Sequence, residues 1–233
     1  MPEVAIVAAL ERELWPMVRK WHVSGRESSG RQFRFFESDA IVAVFGGTGP
    51  EAARRATEAI IDLYRPSTVL SVGFAGALDR NLRVGDVLEA RYVVDARDGS
   101  KTDTGWGAGV LVSFSSVAGK EQKAKLAIAY QAQAVDMEAA AVAKGADARG
   151  LRFAAIKVIS DEAAFPMPPL ERFMARDGGF RAASFAFYAA LRPWLWRTVF
   201  RLARNSSIAS RRLCEYLNEN SERIASVSQK AGE

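Results

Sequence analysis

Carboxylates in unusual surroundings mark the stretches of this chain that are most suited to chemistry. Asp136 and Glu138 lie in AVDMEAAAV, between apolar residues and a run of alanines. Asp161 directly follows the apolar stretch FAAIKVIS, and Glu13 follows the apolar residues 4–10. Acidic side chains are rarely buried unless they are paired or functional. We therefore interpret these four carboxylates as candidates for one site.

Each carboxylate also has a purely structural explanation. An acidic residue in the first turn of a helix complements the helix dipole, and an aspartate after a strand often caps the next helix. Their shared placement at the ends of predicted strands favours the functional interpretation, because ligands of open α/β sheets bind beyond the carboxyl ends of the strands.

Composition excludes several classes of chemistry. The 233 residues contain one cysteine, Cys214, and one histidine, His22. An internal disulfide framework and a cysteine-rich or histidine-rich metal site are therefore excluded. We expect no metal and no cofactor, so catalysis must depend on carboxylates, hydroxyls, basic residues and the backbone.

Charge and hydropathy predict a cytoplasmic protein without a nucleic-acid partner. The net charge is +5, but residues 192–233 carry +4 of it, so the rest of the chain is nearly neutral. This distribution lacks the basic surface that binds phosphate backbones. The first residues have no basic region typical of a signal peptide, and no apolar run approaches the roughly 20 residues that span a bilayer.

Hydrophobic periodicity predicts an α/β fold. Apolar runs of strand length alternate with helical segments, which is typical of a single domain with a central mixed, largely parallel sheet flanked by helices. The predicted strands are 4–10, 32–37, 40–45, 68–73, 87–94, 110–114 and 153–160, and the predicted helices are 11–19, one beginning at Pro50, 120–130, 137–149 and 180–191. The glycine-rich segment 95–109 is expected to be a mobile loop. A domain of residues 1–191 is expected to precede a basic, amphipathic helical extension of residues 192–233.

Five motifs resemble those of a known family. EVAIVAALERE, FGGTGPEAARRA, SVGFAGALDRNLRVGDV, AVDMEAAAVA and FAAIKVISDEA occur in the order and approximate spacing of the nucleoside phosphorylase superfamily. The pattern most resembles the 5′-methylthioadenosine/S-adenosylhomocysteine nucleosidases, over about residues 4–191. The resemblance implies the family's fold, cleavage of an N-glycosidic bond, and a homodimer or larger homo-oligomer.

The resemblance implies roles for the residues of AVDMEAAAV. Glu138 resembles the glutamate that accepts hydrogen bonds from both ribose hydroxyls, which suits a carboxylate because each of its oxygens accepts one bond. Its charge also favours the positive charge that develops on the sugar as the glycosidic bond breaks. Met137 is expected to pack against the ribose, and Asp136 to support the site without contacting the substrate directly.

Asp161 resembles the general acid of the family. A purine leaves poorly as an anion, so a nitrogen of its imidazole ring must be protonated as the bond breaks, a step that typically contributes about 10²- to 10⁴-fold. The acid must hold a proton near neutral pH, which burial beside an aromatic base favours. Ser160 is expected to orient the Asp161 carboxyl group.

Glu13 resembles the glutamate that positions and deprotonates the attacking water in the nucleosidases. Phosphorolysis would instead require a phosphate cradle of backbone N–H groups and arginines. The glycine loop with Thr48, followed by Arg54 and Arg55, is the candidate for such a cradle. The glycines and arginines are equally consistent with a tight turn and a solvated helix surface, so phosphate stays an alternative nucleophile.

Several features depart from the nucleosidase pattern. Phe74 follows Gly73 at a position where those enzymes commonly have a small hydroxyl residue, and both are candidates for substrate binding. The segment VSFSSVAGK is shorter than its counterpart, and Phe114 or Val117 is the candidate for stacking on the base.

These departures resemble a narrower group, the hopanoid-associated phosphorylases, which are similar in the short middle segment, the VDME motif and the tail RPWLWRTVFRLAR. That subfamily is linked to removing adenine from an adenosyl-substituted hopanoid lipid. Helical spacing gives the tail an apolar stripe and a neighbouring basic stripe, formed by Trp196, Val199, Phe200 and Ala203 and by Arg197, Arg201 and Arg204. Such a helix predicts peripheral contact with the inner face of the membrane, with packing on the domain or a partner subunit as the alternative.

The predicted function is cleavage of the N-glycosidic bond of an adenine nucleoside with an apolar 5′ substituent, of the methylthioadenosine, adenosylhomocysteine or adenosylhopane type. One alternative is a phosphate-dependent purine nucleoside phosphorylase, and another is a nucleoside-binding protein without activity. The presence of Glu13, Glu138 and Asp161 together argues against loss of catalysis.

Overall fold

Most strands of the fold follow the apolar stretches of the sequence. The computed structural model describes residues 2–175 and 178–226. In chain order its strands are β1 (Val4–Ala8), β2 (His22–Ser28), β3 (Arg31–Glu37), β4 (Ile41–Phe45), β5 (Thr68–Ala77), β6 (Val87–Asp95), β7 (Lys101–Asp103), β8 (Gly109–Ser113), β9 (Ala134–Asp136) and β10 (Arg152–Asp161).

The strands form one mixed sheet. The neighbours β4, β1, β5 and β10 run parallel, whereas β3 and β2 continue the sheet in antiparallel fashion beyond β4. Beyond β10 follow β6, β8 and β9, and β9 pairs with the end of β5, so that five strands close into a ring. The predicted α/β fold with a mixed sheet is confirmed.

Helices cover both faces of the sheet. They are α1 (Glu11–Val18), α2 (Pro50–Tyr64), α3 (Lys120–Tyr130), α4 (Ala139–Asp147), α5 (Ala182–Ala190), α6 (Pro193–Glu219) and α7 (Ser221–Ser226), with a short 3-10 helix at Leu170–Phe173. Because side chains alternate along a strand, Ala5 and Val7 of β1 pack in one core with α2 and α4. Ile6 and its neighbours pack in the other core, with α1 and α6.

The long helix α6 changes character along its length. Its second half is buried against the sheet and α1, through residues such as Leu213 and Leu217. Its first half, α5 and the connection between them instead expose large apolar side chains. We call this set the aromatic face, and its members are Phe187, Leu191, Trp194, Trp196 and Phe200. No helix in the described ranges is long and apolar enough to cross a membrane. The end of the predicted extension, residues 227–233, lies outside the described residues.

Two details differ from the sequence prediction. The expectation of a mobile loop over residues 95–109 is wrong in its middle, because β7 pairs there with β6 and the Lys101 ammonium lies 3.6 Å from the centre of the Tyr92 ring. The helix predicted at 137–149 begins at Ala139, since residues 134–136 form β9 and Asp136 Oδ2 accepts from the Ala139 N–H at 2.9 Å.

Candidate active site

A cavity of about 190 Å³ lies at the carboxyl ends of β1, β5 and β10. These strands are parallel, so their ends share one edge of the sheet. The short strand β9 is antiparallel to β5 but pairs only with its last two residues, which brings the following carboxylates to the same edge. The predicted site residues that line the cavity are Glu13, Thr48, Phe74, Asp136, Met137, Glu138, Ser160 and Asp161.

Glu13 is fixed by the backbone at the start of α1. Its carboxylate is buried, and Oε2 accepts hydrogen bonds from the N–H groups of Ala9 and Leu10, both at 3.2 Å. Burial raises the pKa of Glu13, whereas the Leu10 N–H and the charge of Lys157 act in the opposite direction. A carboxylate with a raised pKa is a more effective proton acceptor near neutral pH.

Glu138 connects the glycine loop to the N-terminus of α4. Its Oε1 accepts a hydrogen bond from the Gly49 N–H at 2.7 Å, and its Oε2 accepts one from the Met137 N–H at 3.2 Å. Each oxygen keeps a further lone pair for a ligand hydroxyl. Burial, and after it the charge of Asp136, raises the pKa of Glu138 to about 7.

A buried lysine, Lys157 of β10, balances this group of carboxylates. Its Nζ lies 3.0 Å from Asp136 Oδ2 and donates to Ser71 Oγ at 3.0 Å. Burial alone would lower the pKa of Lys157, but the charges of Asp136 and Glu138 raise it overall. Asp136 also accepts from Ser113 Oγ at 2.6 Å. Protein groups therefore bind both oxygens of Asp136, whose effect on the cavity is mainly electrostatic.

Asp161 lies at an irregularity at the end of β10. The register against β5 shifts between Ile159 and Asp161, and such a bulge re-aims the side chains around it. Ser160 Oγ donates to Asp161 Oδ1 at 2.7 Å, while the buried Lys123 of α3 forms an ion pair with Oδ2. The carboxylate is thus oriented from both sides.

Two glycines of β5 leave the space that these carboxylates occupy. Gly73 has a φ of +151°, and a Cβ atom there would lie 2.8 Å from Glu13 Oε2. A Cβ atom at Gly76 would lie 2.9 Å from both Asp161 Oδ2 and Lys123 Cε. The motif SVGFAGALD therefore shapes the site mainly through the side chains that it lacks.

The remaining candidates have mixed surroundings. The Thr48 N–H and hydroxyl both donate to the Gly178 carbonyl, at 2.8 and 3.0 Å. Phe74 is half-buried against the core that contains α6. Val117 lines the cavity, whereas Phe114 packs against a separate apolar cluster.

The arginines proposed for a phosphate cradle lie on the outer surface of α2. Arg54 pairs with Glu51 at 2.8 Å and with Glu58 at 2.6 Å, and Arg55 pairs with Glu51 at 2.8 Å. Neither arginine is among the residues that line the cavity.

Lys157 and Lys123 are the functional candidates that the sequence analysis did not select. The sequence did indicate Lys157, because a lysine inside the apolar strand FAAIKVIS destabilises the fold unless its ammonium group has a partner. It did not indicate Lys123, because α3 also contains the exposed Lys120 and Lys125 at similar spacing.

The comparison with known families decides the relationship. The model of the "Phosphorylase superfamily" matches residues 3–117 and 108–187 of this chain. The chain belongs to the phosphorylase superfamily. Within the superfamily, the 5′-methylthioadenosine/S-adenosylhomocysteine nucleosidase of Staphylococcus epidermidis is 25% identical over 197 residues, which are 68% of this chain and 86% of the relative. Alignments with two other proteins of that name cover 38% and 42% of those relatives.

Solved structures share the superfamily fold. The nucleosidase of Colwellia psychrerythraea in complex with adenine has a TM-score of 0.60 and 24% identity, covering 70% of this chain and 84% of its own. The futalosine hydrolase of Helicobacter pylori has a TM-score of 0.65 and 20% identity, covering 94% and 98%. At these identities the likeness is one of fold.

Proposed function

We propose that this member of the superfamily hydrolyses the N-glycosidic bond of an adenine nucleoside. The observation that carries the proposal is the convergence of Glu13, Glu138 and Asp161 on one cavity. Glu13 accepts a proton from the attacking water, Glu138 binds the ribose hydroxyls, and Asp161 delivers a proton to the departing base. The names of the relatives, which are nucleosidases, support the same reaction.

Water is favoured over phosphate as the nucleophile. The acidic residues Glu13, Asp136 and Glu138 line the cavity and would repel a phosphate dianion. The loop groups that would bind phosphate are already engaged, since the Gly49 N–H donates to Glu138 and Thr48 donates to Gly178. Arg54, the arginine that would add positive charge to such a phosphate cradle, is paired with Glu51 and Glu58 on the surface of α2.

An apolar 5′ substituent fits the rest of the cavity lining. Met167, Leu170 and Leu202 line the cavity together with the carboxylates. A volume of about 190 Å³ is below the roughly 300 Å³ at which ligand pockets usually begin. The substituent therefore extends past these three side chains. Adenosylhopane, methylthioadenosine and adenosylhomocysteine all have a group in that position.

Release of free adenine tests this function. The protein is incubated with methylthioadenosine, adenosylhomocysteine, adenosine and inosine, each with and without phosphate, together with 5′-alkylthioadenosines of increasing chain length. We expect phosphate-independent release of adenine, with kcat/KM rising with chain length. A strict requirement for phosphate would establish the phosphorylase alternative, and binding without release in every reaction would establish the inactive alternative.

We further propose that the aromatic face contacts an anionic membrane. Phe187, Trp194 and Phe200 are 69%, 73% and 71% exposed, and the exposed Arg197 and Arg204 lie on the same helix as the last two. Aromatic side chains with adjacent arginines suit the interface of an anionic bilayer. Leu202 of this helix lines the cavity, so the membrane contact would lie beside the position of the 5′ substituent.

Co-sedimentation with vesicles tests this contact. The full chain is compared with the triple variant Phe187→Ser, Trp194→Ser, Phe200→Ser, using Ile128→Ser as a control for an exposed apolar residue elsewhere on the surface. We expect the triple variant alone to lose binding to anionic vesicles, and salt to weaken wild-type binding. The alternative is that the aromatic face belongs to the predicted homo-oligomer. In that case the wild type stays in the supernatant when the vesicles are pelleted, and analytical ultracentrifugation without vesicles shows a dimer that the triple variant does not form.

A further inference from the structure

Lys123 occupies a position that is costly for an ammonium group. It lies on α3, where the side chains of Lys120 and Lys125 are exposed, yet its own side chain is 2% exposed. A buried charge is retained only where partners compensate for its lost hydration. Its partners are therefore the clue to its function.

Among the residues that the structure describes, the partners of Lys123 lie at the end of β10. Its Nζ forms an ion pair with Asp161 Oδ2 and also lies 3.0 Å from the Glu162 carbonyl and 3.4 Å from the Asp161 carbonyl. These three acceptors match the three protons of an ammonium group. Gly76 provides the space, because a Cβ atom there would lie 2.9 Å from Lys123 Cε.

The ion pair creates a requirement for the proposed reaction. Asp161 accepts from Lys123 at Oδ2 and from Ser160 at Oδ1, so both of its oxygens act as acceptors in this arrangement and neither donates. Of these two donors, the ammonium group of Lys123 is far more acidic than the hydroxyl of Ser160, so Lys123 is the donor that can supply a proton. Lys123 also lines a surface groove with Arg80 and Arg83, so it lies between the cavity and a second region that solvent reaches.

We propose that Lys123 supplies, through Asp161, the proton that the departing base takes up; the inference rests on the proposed hydrolysis of a nucleoside. The C1′–N bond breaks and its electron pair moves to the purine. Lys123 Nζ gives a proton to Asp161, and Asp161 gives a proton to a ring nitrogen of the purine. Water adds to C1′ and gives a proton to Glu13. The neutral amine of Lys123 then regains a proton from solvent, and Glu13 releases one.

The leaving group distinguishes this role from a structural one. An adenine nucleoside needs a protonated leaving group, whereas p-nitrophenyl β-D-ribofuranoside releases a stable phenolate without one. We expect Lys123→Met to lower kcat for the nucleoside by at least about 10²-fold, with KM nearly unchanged, and to leave p-nitrophenyl riboside cleavage within about threefold of wild type. The matched control is Lys125→Met on the exposed side of α3.

Two further measurements keep the inference falsifiable if Lys123→Met is poorly folded. Lys123→Arg retains the charge and is expected to recover part of the nucleoside activity. In a folded pair of variants, Lys123→Met in an Asp161→Asn background is expected to cost less than threefold, because the proton path is already interrupted.

Each remaining outcome overturns a defined claim. Equal losses on both substrates, or no loss on either, would overturn the role of Lys123 while wild-type nucleoside hydrolysis upholds the proposed function. Absence of nucleoside cleavage by the wild type would overturn the proposed function and the relay together.

Discussion

At the scale of single residues, Glu138 differs from its neighbours in the cavity. Asp136 and Asp161 each lie against a buried ammonium group, whereas Glu138 is bound by the N–H groups of Gly49 and Met137. Burial and the charge of Asp136 raise the pKa of Glu138 by more than Lys157 and the Gly49 N–H lower it. Its pKa of about 7 therefore places its change of charge within the physiological range.

We expect substrate affinity to fall as the pH decreases through about 7. Glu138 is ionised above its raised pKa and then accepts from both ribose hydroxyls, whereas the protonated group offers fewer acceptor sites. Binding of an adenine C-nucleoside, which has no glycosidic C–N bond to cleave, is measured from pH 5.5 to 8.5. The affinity of the wild type should fall by up to about tenfold per pH unit below 7.

Two controls isolate Glu138. Glu138→Gln should show a flat profile, and so should the wild type with the 2′,3′-dideoxy form of the ligand. A wild-type profile that persists in the glutamine variant would assign the titration to another group, such as Glu13, whose pKa burial also raises.

The sequence predicted the carboxylates of the site more readily than their partners. Each of these carboxylates has an ordinary structural explanation when taken singly, and they stood out because they share a placement at the ends of predicted strands. The partner of Asp161 was not predictable, because only the packing of α3 against β10 separates Lys123 from the other lysines of that helix.

At the scale of elements, β5 determines where the candidate carboxylates can lie. Its first half pairs with β1, nearly its whole length pairs with β10, and its end pairs with β9, so each strand that carries or precedes a candidate carboxylate borders it. Gly73 and Gly76 occur three residues apart in this strand. A strand with ordinary side chains at both positions would exclude the carboxylates.

We expect Gly73→Ala to impair catalysis more than folding. The added Cβ would lie 2.8 Å from Glu13 Oε2 at a φ of +151°, so Glu13 must move or the backbone must change. Strain of this kind costs about 1–3 kcal/mol, and a displacement of about 1 Å can cost on the order of 10²-fold in rate. Steady-state kinetics and urea denaturation of the same variant measure the two effects.

Gly25→Ala in β2 is the matched control, because no atom lies within 4 Å of its added Cβ. It should behave as the wild type in both measurements. Wild-type activity of Gly73→Ala would contradict the close approach of β5 to Glu13.

The sequence predicted the elements that have a clear hydrophobic period or helix-start residues. It did not predict the strands that form only because they pair with a neighbouring strand. The start of α2 at Pro50 and the bounds of α3 at 120–130 match the prediction. The strand β2, HVSGRES, is mostly exposed and has no apolar period, so only its pairing with β3 makes it a strand. The three residues of β9 are too few to give a period.

At the scale of the whole molecule, α6 joins the core to the cavity. Its Leu202 and Ser206 line the cavity, and one turn later Ala209 and Ser210 are buried against the domain. The proposed extension beyond residue 191 therefore contributes both to the site and to the folded state.

We expect Leu213→Ala to destabilise the protein by about 2–5 kcal/mol, because Leu213 is fully buried in the core shared by α1, α6 and the sheet. A chain that ends at Leu191 should lose more, since it lacks every α6 residue of that core. Urea denaturation measures both. Ile128→Ala, at an 83% exposed residue, should change the free energy of unfolding by less than about 0.5 kcal/mol. A stable, cooperative fold of the shortened chain would show that α6 is dispensable.

The packing of α6 on α1 has a consequence for biosynthesis. Ser210 Oγ donates to the Arg12 carbonyl at 2.9 Å across 198 positions of sequence, next to Glu13. At about 5–20 residues per second, the ribosome completes α1 on the order of 10–40 s before the part of α6 that covers it. During that interval Leu14 and Val18 lack their α6 neighbours and present an apolar surface that chaperones recognise. The cavity also lacks Leu202, so a nascent chain completes the lining of this cavity only after nearly all of the protein has been made.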